Sequence, residues 1–295
     1  MKSVTLNCIL GIFYLTATLV AGQEQKASPK RAAARQPQTL KLPDTVRVET
    51  NIVYAKYGTR ELMLDLYLPK EKPASPMPCI IVIHGGGWRS GDKQRFARHA
   101  AFLAGKGFAA ACIGYRLRPE VEILGCVQDC KAAVRWVRAN AGRYSINPDR
   151  FGAIGGSAGG HLVAMLGTSY QAEKLEGAGG NPGVSSRVQA VVAMAAVTDF
   201  NAFSGRQELD KETAALISPV TYVDKDSAPL LLLHGDGDKL VPLKQSEILL
   251  AKYKEAAAPA ELFTFKGAGH GFWTQDPAFT ETMDRAVTFF REKLK

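Results

Sequence analysis

Residues 151–161 read Phe151-Gly-Ala-Ile-Gly-Gly-Ser157-Ala-Gly-Gly-His161. An apolar run ends in Gly155-Gly156, a serine follows, and Ala158-Gly159-Gly160 opens a pattern of helical spacing. This is G-x-S-x-G between a predicted strand and a predicted helix. So tight a turn leaves almost no room for side chains beside the serine. Its strain holds the hydroxyl at the carboxyl edge of a sheet, where a substrate carbonyl can reach it. In a chain with 28 glycines the pattern alone is weak. Its meaning depends on what surrounds it.

Upstream, Val46 to Ala55 and Leu62 to Leu68 read as strands joined at Tyr57-Gly58-Thr59. Every even position from Leu62 to Leu68 is leucine, which predicts a half-buried edge hairpin. Cys79-Ile-Ile-Val-Ile83 is a continuous, mostly β-branched run, the mark of a parallel strand buried on both faces. It ends in His84-Gly85-Gly86-Gly87-Trp88. A helix is predicted over 91–107, a buried strand over 108–115, a helix over 121–141 and a turn at Ser145–Asp149. Downstream, 171–186 is a polar, glycine-rich excursion and 188–196 a strand. Residues 198–223 are irregular and partly helical, a small cap above the sheet edge. Pro229 to Leu233 is a strand ending in His234-Gly-Asp236-Gly-Asp238. A helix over 243–256, a strand over 260–265, the loop Gly267-Ala-Gly-His270-Gly-Phe272 and a helix over 279–294 complete the chain. Such alternation predicts an α/β fold: a mostly parallel central sheet with helices on both faces. No repeat or second domain is evident, and residues 44–295 read as one catalytic domain.

The net charge of +9 is concentrated at the front. Lys26, Lys30, Arg31, Arg35 and Lys41 stand against Glu24, and Lys2 adds one more. The body is close to ordinary, so no nucleic-acid partner is expected. Met1-Lys2, an apolar run from Cys8 to Ala21 and the small residues Val20-Ala21-Gly22 have the layout of a signal peptide over 1–22. The run is short for a membrane anchor, so no stable span is expected after cleavage. Residues 23–43, rich in Ala, Gln, Pro and Lys, read as a disordered basic linker. The expectation is a secreted or periplasmic protein. Cys79, Cys112, Cys126 and Cys130 do not space like a disulfide framework and read as free thiols.

A serine hydroxyl needs a base to become a nucleophile, and histidine can take and return a proton near neutral pH. Five histidines are available. His99 is expected on an exposed helix face, His161 in packing, and His84 and His234 in local hydrogen bonds at strand ends. His270, in a glycine-flanked loop after the last strand, is the candidate base. A carboxylate must hold its tautomer. Asp238 is the candidate, while Asp236 and Asp199 also follow strands and remain open. Oxyanion donors need backbone N–H groups free of obstruction. Gly85 and Gly86, with the N–H of Ala158, are the candidates. No set of residues reads as a metal site.

Taken together, His84-Gly-Gly-Gly-Trp88, Gly155-Gly-Ser157-Ala-Gly159, His234-Gly-Asp-Gly-Asp238-Lys-Leu-Val-Pro242 and Gly269-His270-Gly271-Phe272 resemble the α/β-hydrolase esterases. The branch they are most similar to contains hormone-sensitive-lipase-like esterases and bacterial acetylxylan and feruloyl esterases. Trp88-Arg-Ser-Gly-Asp-Lys93, Leu64-Asp-Leu-Tyr-Leu-Pro69 and Tyr115-Arg-Leu117 are similar to that branch too. The resemblance implies hydrolysis of a carboxylic ester through an acyl-enzyme, without metal or organic cofactor. A long helical cap ahead of the first strand, usual in the hormone-sensitive-lipase-like group, is missing, which favours the carbohydrate-esterase side. The expected partner is a small-molecule or polysaccharide ester, with short acyl or hydroxycinnamoyl groups. Two alternatives remain: an amide or peptide hydrolase of prolyl-oligopeptidase or arylformamidase type, and a non-catalytic binding domain on the same scaffold.

Overall fold

The computed structural model describes Met1 and residues 41–203 and 209–295. The expected leader and all but the last residues of the expected linker lie outside the described residues. Leu40–Lys295 forms one compact unit. Among the described residues, no helix is long and apolar enough to cross a membrane.

Among the described residues, eight strands form a single sheet: β1 (Val46–Tyr57), β2 (Arg60–Pro69), β3 (Met77–Ile83), β4 (Ala109–Ile113), β5 (Ile146–Gly156), β6 (Ala190–Met194), β7 (Leu230–Gly235) and β8 (Ala260–Phe265). Their spatial order is β1-β2-β4-β3-β5-β6-β7-β8. From β4 to β8 all neighbours run parallel, and β2 is antiparallel to both β1 and β4. The apolar runs explain the centre. In β3, Cys79, Ile81 and Ile83 enter one core and Ile80 and Val82 the other. A strand covered on both faces must be apolar at every position, because successive side chains alternate sides.

Helices α2 (Ile123–Ala139), α3 (Ala158–Thr168) and α5 (Lys244–Glu255) pack on the first face. Helices α1 (Ala97–Gly105) and α6 (Ala278–Lys293) pack on the second. Close approach there depends on Gly152, where a Cβ would lie 2.7 Å from both Ile80 Cδ1 and Phe290 Cε1. The fully buried Phe290 contributes roughly 1.5–3 kcal/mol in this position. Residues 198–203 and 209–223 form the described part of the small cap region, with α4 (Lys211–Leu216) and a 3₁₀ turn at Pro219–Tyr222.

Several expectations need correction. The β1–β2 hairpin lies at the sheet edge as expected, but with β1 outermost its second strand is not half-buried: Asp65 and Tyr67 on the other face of β2 are buried as well. Asp65 remains satisfied there by Lys93, at 2.8 Å, and Gln94, at 2.8 Å. The expected turn at Ser145–Asp149 instead opens β5. Ile146 pairs with Met77, and an irregularity absorbs the Asn-Pro-Asp before Phe151 resumes the register. The helix expected from residue 91 begins as a 3₁₀ turn at Lys93–Phe96, capped by Asp92, and becomes α only at Ala97. His99, expected at the surface, is buried. Its ring stacks on Phe96 at 4.3 Å and meets Phe279 of α6 edge-on. Burial lowers its pKa to about 3. The C-terminal helix covers a face that α1 alone would leave open.

Candidate active site

Ser157 is the single residue between β5 and α3, with φ 58° and ψ −122°. That left-handed region is costly for a residue with a Cβ and persists only where surroundings over-determine it. Here they do. Ser157 N–H donates to Met194 O at 2.8 Å, and its own carbonyl accepts from His161 N–H at 3.0 Å. The flanking glycines are needed for room. A Cβ on Gly155 would strike Gly159 O, and one on Gly159 would strike Ile83 O. At Gly156 it would lie 2.6 Å from the Trp273 ring.

The serine faces His270. Ser157 Oγ lies 3.0 Å from His270 Nε2, and His270 Nδ1 lies 2.7 Å from Asp238 Oδ2. The carboxylate accepts from Nδ1–H, so Nε2 presents its lone pair to the serine hydroxyl. Asp238 is itself fixed, its Oδ1 accepting from Leu240 N–H at 2.8 Å and Val241 N–H at 2.9 Å. The Asp238 side chain is fully buried and that of His270 is 21% exposed. His234, the strand-end residue of β7, supports the same turn. Its Nε2–H donates to Val241 O at 2.9 Å, and Nδ1 accepts from the Ser246 hydroxyl at 2.7 Å. Burial lowers the pKa of His234, keeping the ring neutral beside the acid.

The other aspartates are otherwise engaged. Asp236 Oδ1 accepts from Gly267 N–H, tying the two loops together. Asp199 Oδ1 accepts from the N–H groups of Asn201 and Ala202. Neither reaches His270 within hydrogen-bonding distance.

Gly85, Gly86 and Ala158 lie around the same point. A Cβ on Gly85 would sit 3.2 Å from Ser157 Cβ. Among the described residues, none of these three N–H groups donates to a protein acceptor. The loop that carries the glycines is held from several sides. Gly86 O accepts from the N–H groups of Arg89 and Ser90, and Arg118 N–H donates to Trp88 O at 2.7 Å. His84 Nδ1–H donates to Gly85 O at 2.8 Å, and its ring stacks on Tyr115. Trp88 Nε1–H donates to His161 Nδ1 at 3.1 Å, while His161 Nε2–H donates to Ile217 O at 2.7 Å. Both ring nitrogens of His161 are therefore used, and burial lowers its pKa to about 4.

A cavity of about 390 Å³ opens over Ser157, His270 and the glycine loop. Its remaining wall includes Arg95, Phe96, Leu240, Trp273 and Thr274. Sequence reasoning missed these five. Trp273, three residues past a glycine-flanked histidine, was the most legible, since an aromatic there has a site to face. Phe96 and Arg95 sit in the 3₁₀ turn that reads as an ordinary helix start. All four described cysteines are buried free thiols, distant in role from this site. Among the described residues, no cluster of His, Cys, Asp or Glu could hold a metal ion.

The parallel sheet, the serine at a strand-to-helix turn and the acid and histidine loops beyond it define an α/β-hydrolase fold. Residues 64–253 match BD-FAE, and the chain belongs to that family. Esterase LipC of Mycobacterium tuberculosis is 28% identical over 77% of this chain and 61% of its own length. The chain spans about three-fifths of the length of such curated relatives. Among solved structures, a propionate-bound esterase of the planctomycete Thermogutta terrifontis, Est2, superposes with a TM-score of 0.75 at 30% identity, covering 84% of this chain and 94% of that one. A truncated carbohydrate esterase from gut microbiota gives 0.77 at 33% identity, covering 86% and 99%.

Proposed function

We propose that this protein is a serine carboxylic-ester hydrolase working through an acyl-enzyme. The observation that carries the reading is the continuous Ser157–His270–Asp238 hydrogen-bonded chain, with distances of 3.0 and 2.7 Å, at the floor of an open cavity. His270 Nε2 takes the hydroxyl proton as Ser157 Oγ attacks the ester carbonyl. Asp238 holds the tautomer and stabilises the imidazolium that forms. The N–H groups of Gly85, Gly86 and Ala158 bind the oxyanion. Each such donor is worth roughly 10²–10³ in rate. His270 then protonates the leaving alcohol, and water, activated by the same imidazole, releases the acid.

The substrate class we propose is an ester of a short acyl or hydroxycinnamoyl group on a plant polysaccharide. Support comes from the modest cavity, the family, and a structural neighbour described as a carbohydrate esterase. Export to the periplasm or medium, with residues 1–22 removed, fits that use; N-terminal sequencing of the mature protein tests it.

Ser157→Ala is expected to abolish p-nitrophenyl acetate hydrolysis and fluorophosphonate labelling while leaving the circular dichroism spectrum unchanged. Retained turnover would overturn the assignment. Acetate and ferulate release from acetylated xylan and methyl ferulate, measured beside matched acyl-arylamides, locates the substrate class.

A further inference from the structure

The wall of the cavity over Ser157 carries one fixed charge, and it is positive. Arg95 lines the same space as Ser157, His270 and the glycine loop, and among the described residues no carboxylate lines it with them. Two neighbouring cations on this stretch of chain are matched, and Arg89, which has no ion pair among the described residues, does not line the cavity. Lys93 pairs with Asp65 at 2.8 Å, and Arg98 with Asp276 at 2.5 Å. Among the described residues, Arg95 makes no ion pair and its guanidinium has no protein hydrogen-bond acceptor. Asp92, the acid closest to it in the chain, accepts from Gln94 N–H at 2.8 Å as the cap of the 3₁₀ turn. The stem of Arg95 runs past Gly91, where a Cβ would approach Cδ to 3.2 Å, so a glycine leaves the side chain its path.

An unmatched guanidinium beside a reactive serine is a recognition element. It offers a planar set of donors that fits a carboxylate. Arg95 is exposed, so pairing costs it little desolvation. The apolar groups lining the same space, Phe96, Trp273 and the 63%-exposed Leu240, suit the uncharged remainder of a ligand.

We infer that Arg95 is a specificity residue that selects esters bearing a carboxylate close to the scissile bond. In the setting proposed above, this describes an acyl group carried near the carboxylate of an acidic sugar. The inference rests on that reading for the site's use, and the carboxylate preference itself is measurable without turnover.

The test uses the full chain and binding as its first readout. On the Ser157→Ala background, calorimetric titration compares 3-acetoxybenzoate with phenyl acetate, placing the charge on the alcohol side. Mono-methyl glutarate compared with methyl butyrate places it on the acyl side. One charge-assisted pair predicts roughly tenfold tighter binding of the anionic member of one couple. The couple that responds identifies the side. Adding Arg95→Gln should erase the difference, Arg95→Lys should restore part of it, and raising salt should weaken it. Equal affinities in both couples, or a preference that survives Arg95→Gln, would overturn the inference. Turnover of the neutral esters by the unmodified protein reports separately on the hydrolase reading. If no ester is cleaved yet the preference is present and Arg95-dependent, the anionic site stands and the proposed reaction falls.

Discussion

Glycines flank Ser157 and glycines flank His270, but for opposite reasons. Around the serine, Gly155, Gly156, Gly159 and Gly160 are buried, and a Cβ on any of them meets backbone or the Trp273 ring. Around the histidine, Gly267, Gly269 and Gly271 have nothing within 4 Å of an added Cβ. Gly267 and Gly271 adopt positive φ, 71° and 85°, so their need is conformational. The proposed nucleophile is therefore positioned by packing, and the proposed base by backbone shape together with one carboxylate. The first arrangement resists change sterically. The second depends on electrostatics and should fail in catalysis before it fails in stability.

The largest effect that tests this contrast is Asp238→Asn. The amide oxygen can still accept from Leu240 and Val241, so the turn should persist. Its NH₂, however, would face His270 Nδ1 and favour the tautomer that cannot accept the serine proton. A loss of kcat of roughly 10⁴ is expected with little change in the urea midpoint. Next is Gly159→Ala, which drives a methyl group into the carbonyls of Ile83 and His84. Unfolding free energy should fall by roughly 3 kcal/mol, with nucleophile geometry lost at the same time. Similar tolerance for both changes would dissolve the distinction.

A smaller effect concerns pH. His99 and His161 have folded pKa values lowered by burial from 6.5 to about 3 and about 4. The unfolded chain takes up protons at these rings below pH 6.5, while the folded chain does not until far more acid. Their contribution is thus complete above about 6.5 and lost as pH falls, at about 1.4 kcal/mol per unit for each ring. His99→Phe, set between Phe96 and Phe279, should flatten the acid limb of urea midpoints measured between about pH 7.5 and 5. An unchanged slope would mean His99 is solvated. The smallest effect is Gly269→Ala, without positive φ and with open space, which should shift stability by no more than about 0.5 kcal/mol.

The sheet was legible because strands covered on both faces must be apolar throughout, and Cys79–Ile83 and Pro229–Leu233 satisfy that without ambiguity. The residues around the site were legible for a related reason: tight turns demand glycine, and glycine is visible in a sequence. Ser157, Asp238, His270, Gly85, Gly86 and Ala158 all come to one place. What could not be read was anything set by contacts between distant elements. The burial of His99 depends on α6, nearly two hundred residues away. The interior position of β2 depends on β1 adding outside it. Arg95 and Phe96 became cavity wall only because a 3₁₀ turn replaced the first turn of the helix.

The imidazole of His161 has a consequence for how damage spreads. Through one ring it fastens the indole of the glycine loop, from its own place on the nucleophile helix, to the carbonyl of Ile217 in the cap. Three segments far apart in the chain thereby share a single fastener. A substitution that moves Ile217, nowhere near the scissile bond, should register as a poorer oxyanion site: kcat falls while affinity for the uncharged parts of the substrate holds. On the proposed mechanism, the cap segment is tied to the rate of a reaction it does not touch.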